Sequence, residues 1–211
     1  MKILVLGANG GVGTDLTAEL VGRGHQVTAA SRTGGTAPAA GVTPITLDAT
    51  SADAVAQAAA GHYAIVNTVG PRFGQDDLAA LSAIANAVVT AAGQSRVTRI
   101  VIVGGAGTLE VAPGVRLVDT EQMPAEYKPM AKAHADAFDI YRTADDLEWT
   151  YLTPPPEFMP GDRTGTYRAG GDSYLAGEDG RSRLSYADMA VAVADTIEQG
   201  THKGARVAVA Y

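Results

Sequence analysis

Gly7, Gly10 and Gly13 recur at three-residue intervals, between an apolar run (Ile3 to Leu6) and a segment where Val12, Leu16 and Leu20 repeat every four residues. A turn of this kind suits one chemistry, the holding of a pyrophosphate. The first glycine permits the tight turn and the second lets backbone N–H groups approach the phosphates. The third lets a helix pack closely on the strand, with partial positive charge at its start. The spacing carries weight because its context is strand, turn, helix. Asn9, Gly11 and Val12 complete the loop, so Gly7, Asn9, Gly10, Gly11, Val12 and Gly13 form the expected phosphate-facing set.

A second group lies where the far half of a dinucleotide would reach. In such folds an acidic residue about 20 positions beyond the glycines bonds a free ribose 2′-hydroxyl. Here the strand-like run Gln26 to Ala30 ends in Ser31-Arg32-Thr33, without a carboxylate. A hydroxyl and a guanidinium fork suit a 2′-phosphate, which Asp or Glu would repel; the plainer alternative is a solvated surface arginine. The expected cofactor is NADP(H), preferred over NAD(H). Asp48, followed by Ala49, closes the run from Ile45 and either meets the adenine amino group or caps the next helix. In Asn67-Thr68-Val69-Gly70, small residues either let backbone pass close to a nicotinamide ribose or simply turn the chain.

Reductases with a tyrosine acid set a lysine four residues beyond it, one helical turn away. The tyrosine protonates the substrate oxygen and the lysine lowers its pKa. Here Tyr127 and Lys132 are five apart, roughly 140° around a helix. Pro129 starts that helix, leaving Tyr127 in the loop before it as a weak candidate acid. The segment Val103-Gly104-Gly105-Ala106-Gly107 lacks the usual serine. Gly104, with Gly105 and Gly107, is either an open shelf for a planar ring beside the cofactor or a turn after a buried strand. A flavin or quinone takes hydride directly into a delocalised system, so such a site needs only to stack the acceptor and exclude water. His134 falls on the stripe of Met130, Phe138 and Tyr141 and is expected to be a packed, hydrogen-bonded core residue. His25, His62 and His202 have no metal-ligand spacing, and no Gly-x-Ser-x-Gly elbow is present.

The elements that must position these residues alternate. Strand-like segments fall at 2–6, 26–30, 44–47, 62–67, 98–103 and 148–152, and helical ones at 12–23, 51–60, 76–92 and 129–146. A helix over 186–199 and a strand over 205–210 close the chain. Thr50 with Asp53, and Ser185 with Asp188, read as capping boxes. This order builds an α/β, mostly parallel sheet covered on both faces, in one domain over 1–211, with 153–184 as a substrate-side insertion. The 211 residues are 46% hydrophobic with no cysteine, which excludes disulfides and a thiolate nucleophile. A net charge of −7 argues against nucleic acid as partner. No apolar run reaches the roughly 18 residues of a membrane span. A strand directly after Met1 leaves no expected targeting segment. The expectation is a cytoplasmic protein, monomeric or weakly dimeric, acting on a small molecule.

Three further blocks stand out: Leu147 to Leu152 running into Pro154-Pro155-Pro156, Pro160-Gly161-Asp162-Arg163-Thr164-Gly165-Thr166-Tyr167-Arg168, and Ser182 to Ala190. With the glycine turn, they resemble the atypical short-chain dehydrogenase/reductase relatives called NmrA-like NAD(P)H-binding proteins. Within these, the chain is similar to the bacterial NADH-flavin reductases, which share their layout with the animal biliverdin and flavin reductases. The resemblance implies a Rossmann-type, doubly wound fold, a nicotinamide nucleotide with Pro154 among its contacts, and hydride transfer to a flavin or quinone-like acceptor. It also allows a non-catalytic redox sensor, or a reductase or epimerase of a small metabolite that recruits Tyr127. Arg163, Tyr167 and Arg168 could line the acceptor pocket, or Asp162 and Arg163 could form a surface ion pair. Where the animal flavin reductases carry a histidine after the Pro-Pro pair, this chain has Pro156.

Overall fold

β1 (Lys2–Leu6) is buried from Ile3 onward, with Ile3 and Val5 in one core and Leu4 and Leu6 in the other. A strand apolar on both faces belongs in the middle of a parallel sheet. The computed structural model describes residues 1–35, 39–71 and 78–211. After β1 come α1 (Gly11–Gly22), β2 (Gln26–Ser31), β3 (Val42–Thr46), α2 (Ala52–Ala59), β4 (Ala64–Asn67), α3 (Ala79–Ser95) and β5 (Arg99–Val103). A small hairpin, β6 (Glu110–Ala112) and β7 (Val115–Arg116), precedes α4 (Lys128–Arg142) and β8 (Glu148–Thr153). Then follow β9 (Glu157–Met159), β10 (Arg168–Ala169), β11 (Arg183–Ser185), α5 (Tyr186–Gln199) and β12 (Ala205–Ala210).

Eight strands form one sheet in the order β10-β12-β8-β5-β4-β1-β2-β3, parallel except for β10, which runs antiparallel to β12. β1 is flanked by β2, with Ile3 opposite Val27, and by β4, with Ile3 opposite Ala64. The chain winds outward from β1 to β3, then returns to β4 and winds the other way. The reversal between β1 and β4 opens a crevice at the strand carboxyl ends, where ligands of such sheets bind. α2, α3 and α4 cover one face, and α1 and α5 cover the other. This is a Rossmann-like α/β fold.

Several boundaries shift. Asp48 lies two residues beyond the end of β3, not within it. The helix expected to reach 146 stops at Arg142, because the Thr143 hydroxyl donates to the Ile140 carbonyl at 2.9 Å and turns the chain away. Residues 76 and 77 of the helix expected from 76 lie outside the described residues. The Thr50–Asp53 box does not form: Asp48 engages Thr50, and Ser51 caps α2 by accepting the Ala54 N–H at 3.3 Å. Ser185 does cap α5, accepting the Asp188 N–H at 3.0 Å, but the reciprocal bond is replaced by the Tyr211 hydroxyl, which accepts the Ser185 N–H. Among the described residues, no helix is long and apolar enough to cross a membrane.

Candidate functional site

The glycine turn is shaped by its own constraints. Gly7 has φ of 81°, a left-handed conformation that favours glycine. The N–H groups of Gly7 and Ala8 both donate to the Ala30 carbonyl, at 3.0 and 3.1 Å, and the Gly10 N–H returns to the Gly7 carbonyl at 2.9 Å. A Cβ at position 13 would sit 2.2 Å from the Gly7 oxygen, so the last glycine sets the approach of helix to strand. Gly11 faces the Tyr186 ring, 2.6 Å from where its Cβ would be. Gly10 caps α1 without a side-chain bond, and the first turn carries no acidic residue. The N–H groups of Gly11, Val12 and Gly13 are thus left without an acceptor among the described residues. The last two glycine positions therefore do two jobs: one faces an aromatic ring and the other admits the helix.

On the adenosine side, Asn9 is a brace. Its Nδ2 donates to Ser31 Oγ at 2.9 Å, Gly34 O at 2.8 Å and Thr33 Oγ1 at 3.4 Å. The Ser31 hydroxyl donates to Gly34 O at 2.8 Å, so its proton is committed to the loop rather than free for a phosphate. Arg32 is exposed and makes no ion pair or hydrogen bond among the described residues. Asp48 Oδ1 accepts the Thr50 N–H and hydroxyl, at 2.9 and 2.8 Å. These bonds, with a smaller pull from the Arg32 charge, hold its carboxyl below the usual Asp range. Asp48 thus orders the turn before α2 with one oxygen and leaves the other without a partner among the described residues, while Ser51 does the capping. Ala49 packs on the core behind it.

On the nicotinamide side, the Thr68 N–H and hydroxyl both donate to the Leu6 carbonyl, at 3.0 and 2.8 Å. Val69 N donates to Asn67 Oδ1 at 3.1 Å, and Gly70 is exposed beyond it. The glycines after β5 serve packing rather than an open shelf. A Cβ on Gly104 would lie 1.9 Å from the Tyr151 ring, one on Gly105 2.7 Å from the His134 ring, and one on Gly107 2.6 Å from Ala131 Cβ. Pro154 and Pro155 are buried and Pro156 is exposed.

Tyr127 precedes α4 and is exposed, as Pro129 leads one to expect. Lys132 reaches Asp136 at 2.9 Å, so the helix gives no tyrosine–lysine stack. His134 departs from its expected role: its ring makes no hydrogen bond among the described residues, and burial drives its pKa down to about 4. Arg206, missed in the sequence, is a buried hub. It donates to Thr108 O, to Asp172 Oδ1 at 2.8 Å and to Glu110 Oε1 at 3.0 Å, and its guanidinium lies 5.1 Å from the Phe138 ring centre.

The Pro160 to Arg168 block is an anchor. Arg163 pairs with Glu19 on α1 at 2.8 and 2.9 Å, and not with Asp162. Tyr167 donates to Asp195 at 2.7 Å, and Arg168 donates to the Ala176 carbonyl at 2.8 Å. Asp188, fully buried at the start of α5, accepts from Thr164 N (3.2 Å), Thr164 Oγ1 (2.7 Å), Gly165 N (2.8 Å) and the Tyr211 hydroxyl (2.7 Å). Burial alone would raise its pKa, but these bonds outweigh it and hold the carboxyl low. The polar ends of Arg163, Tyr167 and Arg168 are thus engaged by α1, α5 and the neighbouring chain.

Residues 7–199 match the sequence model of a family described as NAD(P)H-binding. YwnB of Bacillus subtilis (strain 168) is 35% identical over 212 residues, covering 99% of this chain and 98% of that protein. Among solved structures, a candidate exported protein of Burkholderia pseudomallei is 41% identical, with a TM-score of 0.91 and 100% of both chains covered. SP1627 of Streptococcus pneumoniae TIGR4, a candidate NADH-flavin reductase by name, is 34% identical, with a TM-score of 0.88 over 100% of this chain and 99% of that one.

Proposed function

The chain belongs to the NAD(P)H-binding family, and from that membership we propose an NADPH-dependent oxidoreductase that passes hydride to a flavin or quinone-like acceptor without a tyrosine–lysine pair. The observation that carries this reading is the start of α1. It has no side-chain cap and no acid in its first turn, and it stands beside a glycine turn too tight for side chains at 7 and 13. The N–H groups of Gly11, Val12 and Gly13 would hold the pyrophosphate. Arg32, just past the end of β2 and without an ion pair among the described residues, would take the 2′-phosphate, with Asn9 and Ser31 fixing the loop that aims it. The other oxygen of Asp48 would meet the adenine amino group. Thr68 to Gly70, Gly104 and Pro154 would flank the nicotinamide half.

When bound, the reduced nicotinamide supplies hydride. The chain's own residues position the acceptor and exclude water; none of them need protonate it, since a reduced flavin or quinone delocalises its charge. The separation of Tyr127 from Lys132 supports this choice over a carbonyl reductase, as does the name of SP1627.

NADPH oxidation with FMN, riboflavin or a naphthoquinone tests the proposal, and turnover with at least one of them is expected. Coenzyme binding without turnover would point to a redox sensor. Turnover only with a metabolite, abolished by Tyr127→Phe, would point to the third alternative. No binding of either coenzyme would overturn the reading.

A further inference from the structure

The His134 imidazole lies directly on the backbone just past the carboxyl end of β5, since a Cβ on Gly105 would come within 2.7 Å of its Cγ and Cδ2. Both sides of this contact are held. The Gly105 carbonyl accepts the Thr108 hydroxyl at 3.1 Å, and the Thr108 carbonyl accepts from Arg206. Arg206 in turn stacks on Phe138, one turn beyond His134 on α4. The His134 carbonyl accepts the Tyr151 hydroxyl at 3.1 Å. With its surroundings this fixed, the ring itself has no hydrogen-bond partner among the described residues, and the residue keeps part of its surface open. Its nitrogens are not among the fully buried polar atoms that lack a partner, which among the described residues are Arg99 Nε and Ser182 Oγ, so they stay open to a group that comes from outside. A rigidly held imidazole with open nitrogens beside the strand ends is placed to bond a ligand that enters there.

Building on the reductase reading, we propose that His134 touches the acceptor, donating one N–H hydrogen bond to a carbonyl oxygen or ring nitrogen conjugated with the atom that receives hydride. This selects planar, conjugated acceptors of the isoalloxazine or quinone class. Burial keeps the imidazole neutral at neutral pH, a form in which one nitrogen donates and the other accepts. His134 gives up no proton. The acceptor gains hydride with its electron pair from the reduced coenzyme, which is oxidised by two electrons, and water supplies the proton that completes the reduced acceptor. Simple ketones and aldehydes, whose alkoxides need a proton as they form, are poor substrates.

The test is riboflavin binding to the protein saturated with NADP⁺, read by quenching of flavin fluorescence and compared with His134→Phe and His134→Gln. Phenylalanine keeps a ring against Gly105 without a donor, and glutamine restores a donor. The riboflavin dissociation constant is expected to rise about five- to tenfold in His134→Phe. It should stay within about twofold of the parent in His134→Gln, and NADPH affinity by calorimetry should change less than about twofold in both. Equal riboflavin affinity in the parent and His134→Phe overturns the role of His134 while leaving the reductase reading in place. Parallel loss of NADPH binding in His134→Phe also overturns it, since the residue would then hold coenzyme or fold. If the parent binds NADP⁺ but neither riboflavin nor a naphthoquinone, both readings fall. Should His134→Phe melt early, the imidazole nitrogen shifts of the parent decide: they must move when riboflavin is added, and unchanged shifts overturn the proposal.

Discussion

Position 13 and the Gly7 carbonyl share one small space: a Cβ on Gly13 would stand 2.2 Å from that oxygen. Helix α1 can rest on β1 only while residue 13 is bare, and the same contact aims the helix start at the crevice. Gly13→Ala should cost about 1–3 kcal/mol of stability, as overpacking does, and weaken NADPH binding by at least about tenfold. Urea midpoints and calorimetry measure the two effects. Gly22→Ala, at the far end of the same helix with no atom within 4 Å of the added carbon, is the control and should be neutral or slightly stabilising.

Arg32 sets the coenzyme preference. Its guanidinium has no partner among the described residues, and charge-assisted hydrogen bonds to a phosphate are worth about 1.5–3 kcal/mol. Arg32→Ala should therefore weaken NADPH binding by roughly 10- to 100-fold and change NADH binding by less than about threefold. Equal loss for both coenzymes would assign Arg32 to the fold instead.

The exposed pair that sequence spacing brings near an acid–lysine motif should matter little. Tyr127→Phe and Lys132→Ala should each alter kcat with a quinone or flavin by less than about threefold. Lys132 loses only an exposed contact with Asp136, a kind of pair worth about 0–1 kcal/mol.

Asp188 should leave its mark on the acid limb of stability. Its folded pKa lies below the usual value, so its contribution is fully present above the unfolded pKa of about 3.9 and is lost as pH falls through the folded value. Asp188→Ala should cost about 2–4 kcal/mol at neutral pH and flatten the stability profile below about pH 4. Urea denaturation across pH checks both statements. A parallel downward shift at every pH would show that the carboxylate charge is not what the Thr164–Gly165 turn requires.

The alternation of elements, the glycine turn and the last helix and strand were all legible in the sequence, because each depends on periodicity within a short window. Partners far apart in the chain were not. Nothing local to Arg163 points to Glu19, yet that pair, with Tyr167–Asp195 and the bonds to Asp188, makes the most distinctive block an anchor to α1 and α5. The strands β6, β7, β9, β10 and β11 have two or three residues each, too few to show a period. His134 was placed on the right helical stripe, but the spacing could not show that position 105 across from it is a glycine in contact with the ring. Arg206 gave no signal beyond its position in an apolar strand, where a charge has to be paired to be tolerated.

The unfinished first turn of α1 makes the protein's resilience depend on its surroundings. Three amides there have no acceptor among the described residues, so a bound dinucleotide would complete the helix as a capping side chain does elsewhere. Melting temperature would then climb with the logarithm of coenzyme concentration. A cell starved of the nucleotide would hold a looser copy of the chain, one more readily cleared by proteases.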